Sequence, residues 1–363
     1  MKQLYSVFTY YQLITAIQIK TKCFPESDAD IVISDHSNGY DRIIENLSKE
    51  NIFNNVYTNR CVEALKLNTK KKKVQRMAEL VFNNNNFPKK CCTIKKYEYD
   101  EFLFFNYNYF DSTLYNLLKK NNNELICRRF EEGYSSYFSP EMFVTGSVRL
   151  QRKFRKLHHN PIHENDITNM YFYVPELVLF HDYESSPIPH IDSSDTEFKH
   201  MLNRIFGYTE ASQPIAQKYI FFEESFNVDG RQMEDLELVK KIAETVGPEN
   251  IYVKLHPRSR VDRFAEYGIE TSKKSGVPWE LMLLNENYSD KVFLTISSGS
   301  VLSPRIVFDM CNPTYMLFNC TQTKSFIVDD NFERYMEGFK KVYGDRQFYI
   351  PQNTEELVRM LKG

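Results

Sequence analysis

The feature that most limits the folds open to this chain is a rhythm of short apolar runs separated by amphipathic stretches. Residues 4–8 form a β-prone run, and 12–22 carry Leu13, Ile14, Ala16, Ile17 and Ile19 at mixed helical spacing. Residues 30–34 read as a buried strand ending in the polar stretch 35–39, with a helix over 41–49 and the next strand opening at 55–57. Further strands are expected at 124–130 and 170–180. After a segment with Pro and Ser at 185–194, strands resume at 219–224, 251–255, 291–296 and 313–318. A helix over 234–246 is stopped by Gly247 and Pro248. Another over 354–361 has Asn353 as N-cap, with Glu356 placed to complete a capping box. Such alternation predicts an α/β fold of parallel sheets joined by right-handed crossovers. A length of 363 residues favours two domains. The expected division is 1–185, a linker region over 186–214, a second domain over 215–345 and a tail helix within 346–363.

Lys and Arg total 46 against 48 Asp and Glu, a net charge of −2 that excludes a globally basic nucleic-acid binder. No apolar run approaches the roughly 20 residues of a spanning helix. Residues 1–8 lead into Thr9, Tyr10 and Tyr11 rather than a small-residue cleavage site, so no leader is expected there. The 7 cysteines are odd in number and lack paired C-x-x-C spacing, which predicts free thiols in a reducing compartment. Asp28 and Asp30 precede a strand rather than follow one, and His158, His159 and His163 lack a second ligand set, so no metal is expected. The 24 Tyr and 28 Phe against 1 Trp, with the Lys and Asn runs at 70–73 and 83–86, read as the bias of an AT-rich bacterial genome. The basic stretch 149–156, with Leu150, Phe154 and Leu157 interleaved, suits a solvated amphipathic helix or one lying on an anionic membrane surface.

Three polar clusters each follow a predicted strand, where ligands bind in open parallel sheets. Glu131, Glu132 and Gly133 place adjacent carboxylates at a strand end, one able to face a cleft as a general base while Gly133 turns the chain. Lys254, His256, Pro257 and Arg258 put an imidazole between cations at another, suited to an anionic leaving group. Ser297, Ser298 and Ser300 supply hydroxyls and backbone N–H groups where a strand gives way to a helix, as a phosphate cradle does. Each alone is also what an ordinary solvated turn or cap shows; their order along one α/β chain is far more specific.

In that order the clusters resemble the acidic-pair-plus-Gly, His-Pro and Ser/Thr-pair signature of bacterial sialyltransferases of GT-B fold. The closest branch is the lipooligosaccharide and capsule sialyltransferases of glycosyltransferase family 52. Residues 5–13 look like that family's opening strand and turn, and Glu280, within 277–281, stands where related enzymes hold the cytidine ribose. The likeness spans nearly the whole chain, through short motifs separated by unmatched sequence.

The resemblance implies two Rossmann-like domains facing a central cleft. It also implies transfer of sialic acid from CMP-sialic acid with inversion, needing neither metal nor other cofactor. Glu131 would then be the base on the acceptor hydroxyl, oriented by Glu132, with Thr9 and Tyr10 on the acceptor side. His256 would assist departure of CMP, with Lys254, Pro257, Arg258, Ser297, Ser298 and Ser300 around the donor and Glu280 on its ribose. In the lipooligosaccharide branch the catalytic carboxylate lies nearer the His-Pro motif. This leaves Glu223, Glu224, Asp229, Glu234 and Asp235 as alternatives, Asp229 leading. Expected partners are a glycan or glycolipid acceptor ending in galactose, the inner membrane surface and a second copy in a homodimer, with no nucleic acid; the expected location is the cytoplasm. Other readings are a glycosyltransferase or polyol-phosphate transferase using another nucleotide-linked donor, and a non-catalytic capsule-assembly binding protein.

Overall fold

The apolar runs become strands of two all-parallel sheets in a computed structural model of the chain. It describes residues 1–36, 39–65, 74, 78, 86–105, 108–139, 166–180, 183–209, 214–224, 234–259, 261–272, 277–323, 325, 327–344 and 347–363. Two units are formed. The first comprises Met1–Ser136, Pro140–Pro189 and Thr196–Tyr208; the second comprises Tyr137–Ser139, His190–Asp195 and Thr209–Gly363.

In the first unit the chain runs β1 (Lys2–Val7), α1 (Tyr10–Gln18), β2 (Asp28–Ser34), α2 (Tyr40–Lys49), β3 (Asn55–Asn59), β4 (Glu101–Phe104), α3 (Tyr109–Asn121), β5 (Ile126–Phe130), β6 (Ile167–Phe172), β7 (Glu184–Pro187) and α4 (Thr196–Phe206). The sheet order is β3-β2-β1-β4-β5-β6-β7, so the winding reverses between β1 and β4. Leu4, Val32, Phe102, Phe104, Phe110 and Leu114 fill the core, as strands covered on both faces require. Charged residues at the amino edge are consumed structurally. Glu101 accepts from Gln3 Nε2 at 2.7 Å and from Arg128 at 2.9 and 3.0 Å, and Asp30 from Tyr99 Oη at 2.6 Å and Asn55 Nδ2 at 2.8 Å. The carboxyl edge is left for other work.

The second unit holds β8 (Tyr219–Phe222), α5 (Asp235–Val246), β9 (Ile251–Lys254), β10 (Glu270–Thr271), α6 (Trp279–Asn285), β11 (Val292–Thr295), α7 (Ser303–Phe308), β12 (Thr314–Met316), α8 (Asp330–Tyr343), β13 (Phe348–Tyr349) and α9 (Thr354–Lys362). Its order, β10-β9-β8-β11-β12-β13, reverses between β8 and β11. The single tryptophan centres this core: Trp279 meets Phe222, Tyr288 and Phe293 edge-on at 4.9, 5.0 and 5.7 Å between centroids.

Several boundaries differ from expectation for identifiable reasons. The helix expected over 12–22 starts at Tyr10, because Thr9 Oγ1 caps it, and ends in a π turn, Ile19–Cys23, whose buried Lys20 is held by the carbonyls of Phe24 and Pro25. The strand expected over 170–180 ends at Phe172, since Pro175 starts the turn Pro175–Leu177 and has no N–H for a ladder. Within 186–214 lies the eleven-residue helix α4, bound to α2 by Arg42 Nη2 to Phe206 O at 3.0 Å and by a two-bond Arg204–Glu50 ion pair. The N-cap of α9 forms as a box shifted by one residue: Asn353 Oδ1 accepts from Glu356 N–H at 2.9 Å, and Glu356 takes the N–H of Gln352 at 2.7 Å.

Candidate active site

The carboxyl edge of the first sheet gathers the acidic pair and the start of α1. Glu131, at the end of β5, is 0% exposed. Its Oε1 accepts from Tyr11 Oη at 2.5 Å and its Oε2 from Tyr173 N–H at 2.9 Å. Glu132 is half-buried. Its Oε2 accepts from Gln12 Nε2 at 2.6 Å, and its own N–H donates to Ser136 Oγ at 2.8 Å. Phe8 N–H donates to Gln12 Oε1 at 2.6 Å, which fixes the amide so that its NH2 faces Glu132. Burial pushes the Glu132 carboxyl up to about 7, against the Gln12 amide and the Arg129 guanidinium, which act to lower it. Gly133 then turns the chain at φ +103.

The acceptor-side expectations divide. Thr9 is occupied as the cap of α1, its hydroxyl accepting from Gln12 N–H at 3.2 Å. Tyr10 packs edge-on against Phe206 at 5.6 Å, on the side of α1 turned toward α4. Tyr11 and Gln12, one step further round the helix, contact the acidic pair.

In the second unit the other clusters meet at the carboxyl edge around β8 and β11. Glu223 and Glu224, adjacent at the end of β8, reach in opposite directions. Glu223 is buried and accepts from His256 N–H at 3.0 Å and Ser259 Oγ at 2.6 Å; Arg263 pairs with it at 2.8 Å and with Asp235 at 2.6 Å. This network sets the His-Pro turn, so Glu223 and Asp235 are committed to structure. Glu234 caps a different loop through Gln322 N–H at 2.6 Å. His256 itself is half-buried, and its Nδ1 accepts from Arg258 N–H at 3.2 Å. In the neutral ring the proton then lies on Nε2, as a donor. Pro257 and Arg258 are exposed.

Glu224 faces β11. Ser297 gives it both its N–H and, at 3.0 Å, its hydroxyl, and Thr295 Oγ1 lies 3.3 Å away. Burial again pushes this carboxyl up to about 7, opposed by the Ser297 N–H, the Ser297 and Thr295 hydroxyls, and reinforced by Asp235. Ser297 is therefore turned to a carboxylate rather than left open. Ser298 and Ser300 are partly exposed, with Ser298 Oγ capping the turn that follows through Ser300 N–H at 3.3 Å.

Lys254 and Glu280 complete this edge. Burial draws the Lys254 ammonium down while Glu280 and Glu286 hold it up, and its Nζ lies 5.9 Å over the Trp279 ring. Burial raises Glu280, which takes the Ser303 hydroxyl at 3.1 Å and is steadied by Lys254. Trp279 Nε1 donates to Ser300 O at 3.0 Å, tying the start of α6 to the serine turn. Lys254, Glu280 and the serines thus share one edge. Sequence reasoning missed Tyr11, Tyr173, Arg263 and Ser303, whose partners lie 23 to 120 residues away.

Asp229, the basic stretch 149–156 and His158, His159 and His163 lie outside the described residues. Among the described residues there is no group of three or more His, Cys, Asp or Glu that could hold a metal ion, and no helix long and apolar enough to cross a membrane.

No protein family and no curated protein matches the sequence. Solved structures do match its fold. TcCGT1 in complex with UDP superposes with a TM-score of 0.51 at 8% identity, covering 99% of this chain and 89% of its own. An α/β-galactoside α-2,3-sialyltransferase from the luminous marine bacterium Photobacterium phosphoreum gives 0.50 at 9% identity, covering 96% and 98%. Two parallel-sheet α/β units in this order define the GT-B fold.

Proposed function

We propose that this chain is an inverting glycosyltransferase that needs no metal and moves sialic acid from CMP-sialic acid to a terminal galactose of a bacterial surface glycan. The observation that carries the reading is that Lys254, the His256 turn, Glu280 and the serine turn all lie along the carboxyl edge of the second sheet. That set offers a cation, a ring N–H and hydroxyls to a phosphate, and a carboxylate to ribose hydroxyls. Phosphate departure is then met by side chains and backbone dipoles. The Glu131–Glu132 pair of the first unit supplies a carboxylate base for the acceptor hydroxyl. Closing water out of the reaction would limit donor hydrolysis.

The likeness to the Photobacterium sialyltransferase supports the fold this chemistry uses; the donor rests on the site residues. Incubation with CMP-sialic acid and a panel of galactosides, read by mass spectrometry with and without chelator, is expected to yield a sialylated product in both conditions. Thermal-shift titration with CMP, CDP, UDP and GDP is expected to favour CMP. A clear preference for UDP or GDP moves the chain to another nucleotide donor, and CMP binding without transfer or hydrolysis makes it a binding protein.

A further inference from the structure

We propose that Glu132 rather than Glu131 takes the acceptor's proton, and that Glu131 is a positioning residue. This rests on the transferase reading above and deepens it. A general base must reach the hydroxyl it deprotonates with an oxygen not already spent. Glu131 is 0% exposed, and each of its oxygens receives a donor, Tyr11 Oη and Tyr173 N–H. Its bonds join α1 to the end of β6, which is the work of a structural anchor. Glu132 is half-buried, and only its Oε2 is engaged, by Gln12. Its Oε1 has no hydrogen-bond partner among the described residues.

The surroundings hold Glu132 ready. Gln12 is 0% exposed and cannot present its carbonyl, because Phe8 N–H claims it, so the amide always donates to Glu132. Among the described residues, the charged group whose field acts on Glu132 is Arg129, on β5; the neighbouring Glu131 carboxylate is turned to Tyr11 and Tyr173. Burial raises the Glu132 carboxyl to about 7, where a base is charged in part and still strong enough to take a hydroxyl proton. In the step itself the acceptor O–H bond breaks with its proton passing to Glu132 Oε1. The freed oxygen forms the new bond at the anomeric carbon, and the bond to CMP breaks with its electron pair leaving on the phosphate.

The test uses the full chain, CMP-sialic acid and a galactoside. Glu132→Gln is expected to lower kcat by roughly 10²–10⁴-fold, with CMP binding and Tm retained. Glu131→Gln is expected to lower Tm while keeping the acid limb of the kcat profile. Gln12→Leu removes the donor that holds the Glu132 carboxyl down, so it should shift that acid limb to higher pH, which loss of packing alone does not do. Transfer by Glu132→Gln near the wild-type rate, or an acid limb lost only in Glu131→Gln, overturns the assignment. Should the unaltered chain transfer from no CMP-linked donor, the sialyl-transfer reading above falls, and the assignment falls with it.

Discussion

At the residue scale, two neighbouring glutamates at the end of β8 divide the second unit's site between them. Glu223 is 4% exposed and shares Arg263 with the buried Asp235. Arg263→Ala leaves two buried carboxylates without their cation, a loss that commonly costs about 3–5 kcal/mol. A large fall in Tm is expected, together with loosened nucleotide binding as the His256 turn loses its anchor; an unchanged Tm would show that the pair is not buried in solution. Under the proposed function Glu224 is expected to act on binding through charge: once it ionises, a carboxylate holds the Ser297 N–H and hydroxyl that a donor phosphate would need. Because its carboxyl is raised to about 7, wild-type CMP affinity should weaken as pH rises through neutrality. Glu224→Gln should bind with less of that dependence. CMP's own titration is common to both proteins and cancels in the comparison, which isothermal titration at several pH values would make.

At the element scale, the turn after β5 shows how a strand end becomes a site. Gly133 adopts φ +103 with open space around its missing Cβ, so a side chain there meets backbone strain rather than a clash. Gly133→Ala is expected to cost about 1–3 kcal/mol and to disturb Glu132, whose N–H is tied to Ser136 across this turn. A Tm and kcat both equal to the unaltered chain's would count against it. Elements of this kind were legible when their burial was visible in the residues themselves: β1, β2, β8, β9 and β11 are apolar runs, and their polar successors mark the carboxyl edges. Others were masked by polar groups that the fold satisfies. β4 begins at Glu101, and α3 carries Asp111, both fully buried, so neither looks like core until Gln3, Arg128, Ser6 and Asn108 are seen beside them. The site was legible as motifs but not as roles. Which of Glu131 and Glu132 is anchored depends on Tyr11, Gln12 and Tyr173, and one step round α1 separates Tyr10, against Phe206, from Tyr11, against Glu131.

At the scale of the whole molecule, carboxyls held up by burial tilt its stability toward acid. Asp111, Glu132 and Glu224 are each raised to about 7 chiefly by desolvation. In the unfolded chain such groups ionise near 4, so between those limits the folded state binds more protons. Their penalty is absent below the unfolded value and grows as pH rises toward 7. Glu50 works oppositely: the Arg204 guanidinium lowers it, so its contribution fades only in stronger acid. Melting at about pH 5 should therefore lie above melting at about pH 8. Asp111 isolates the effect, being 0% exposed. Its Oδ1 meets the Ser6 hydroxyl at 2.6 Å and its Oδ2 the Asn108 amide at 2.8 Å. When protonated it can donate from Oδ1 to Ser6, whose oxygen also accepts, while Oδ2 goes on accepting from Asn108. Asparagine at this position reproduces that neutral pattern, its NH2 toward Ser6 and its carbonyl toward Asn108. Asp111→Asn should therefore raise Tm less near pH 5 than near pH 8, the difference in recovered stability being on the order of 1–3 kcal/mol. Calorimetry at both pH values decides it: equal destabilisation at both would mean that Asp111 is ionised throughout and bound as a carboxylate.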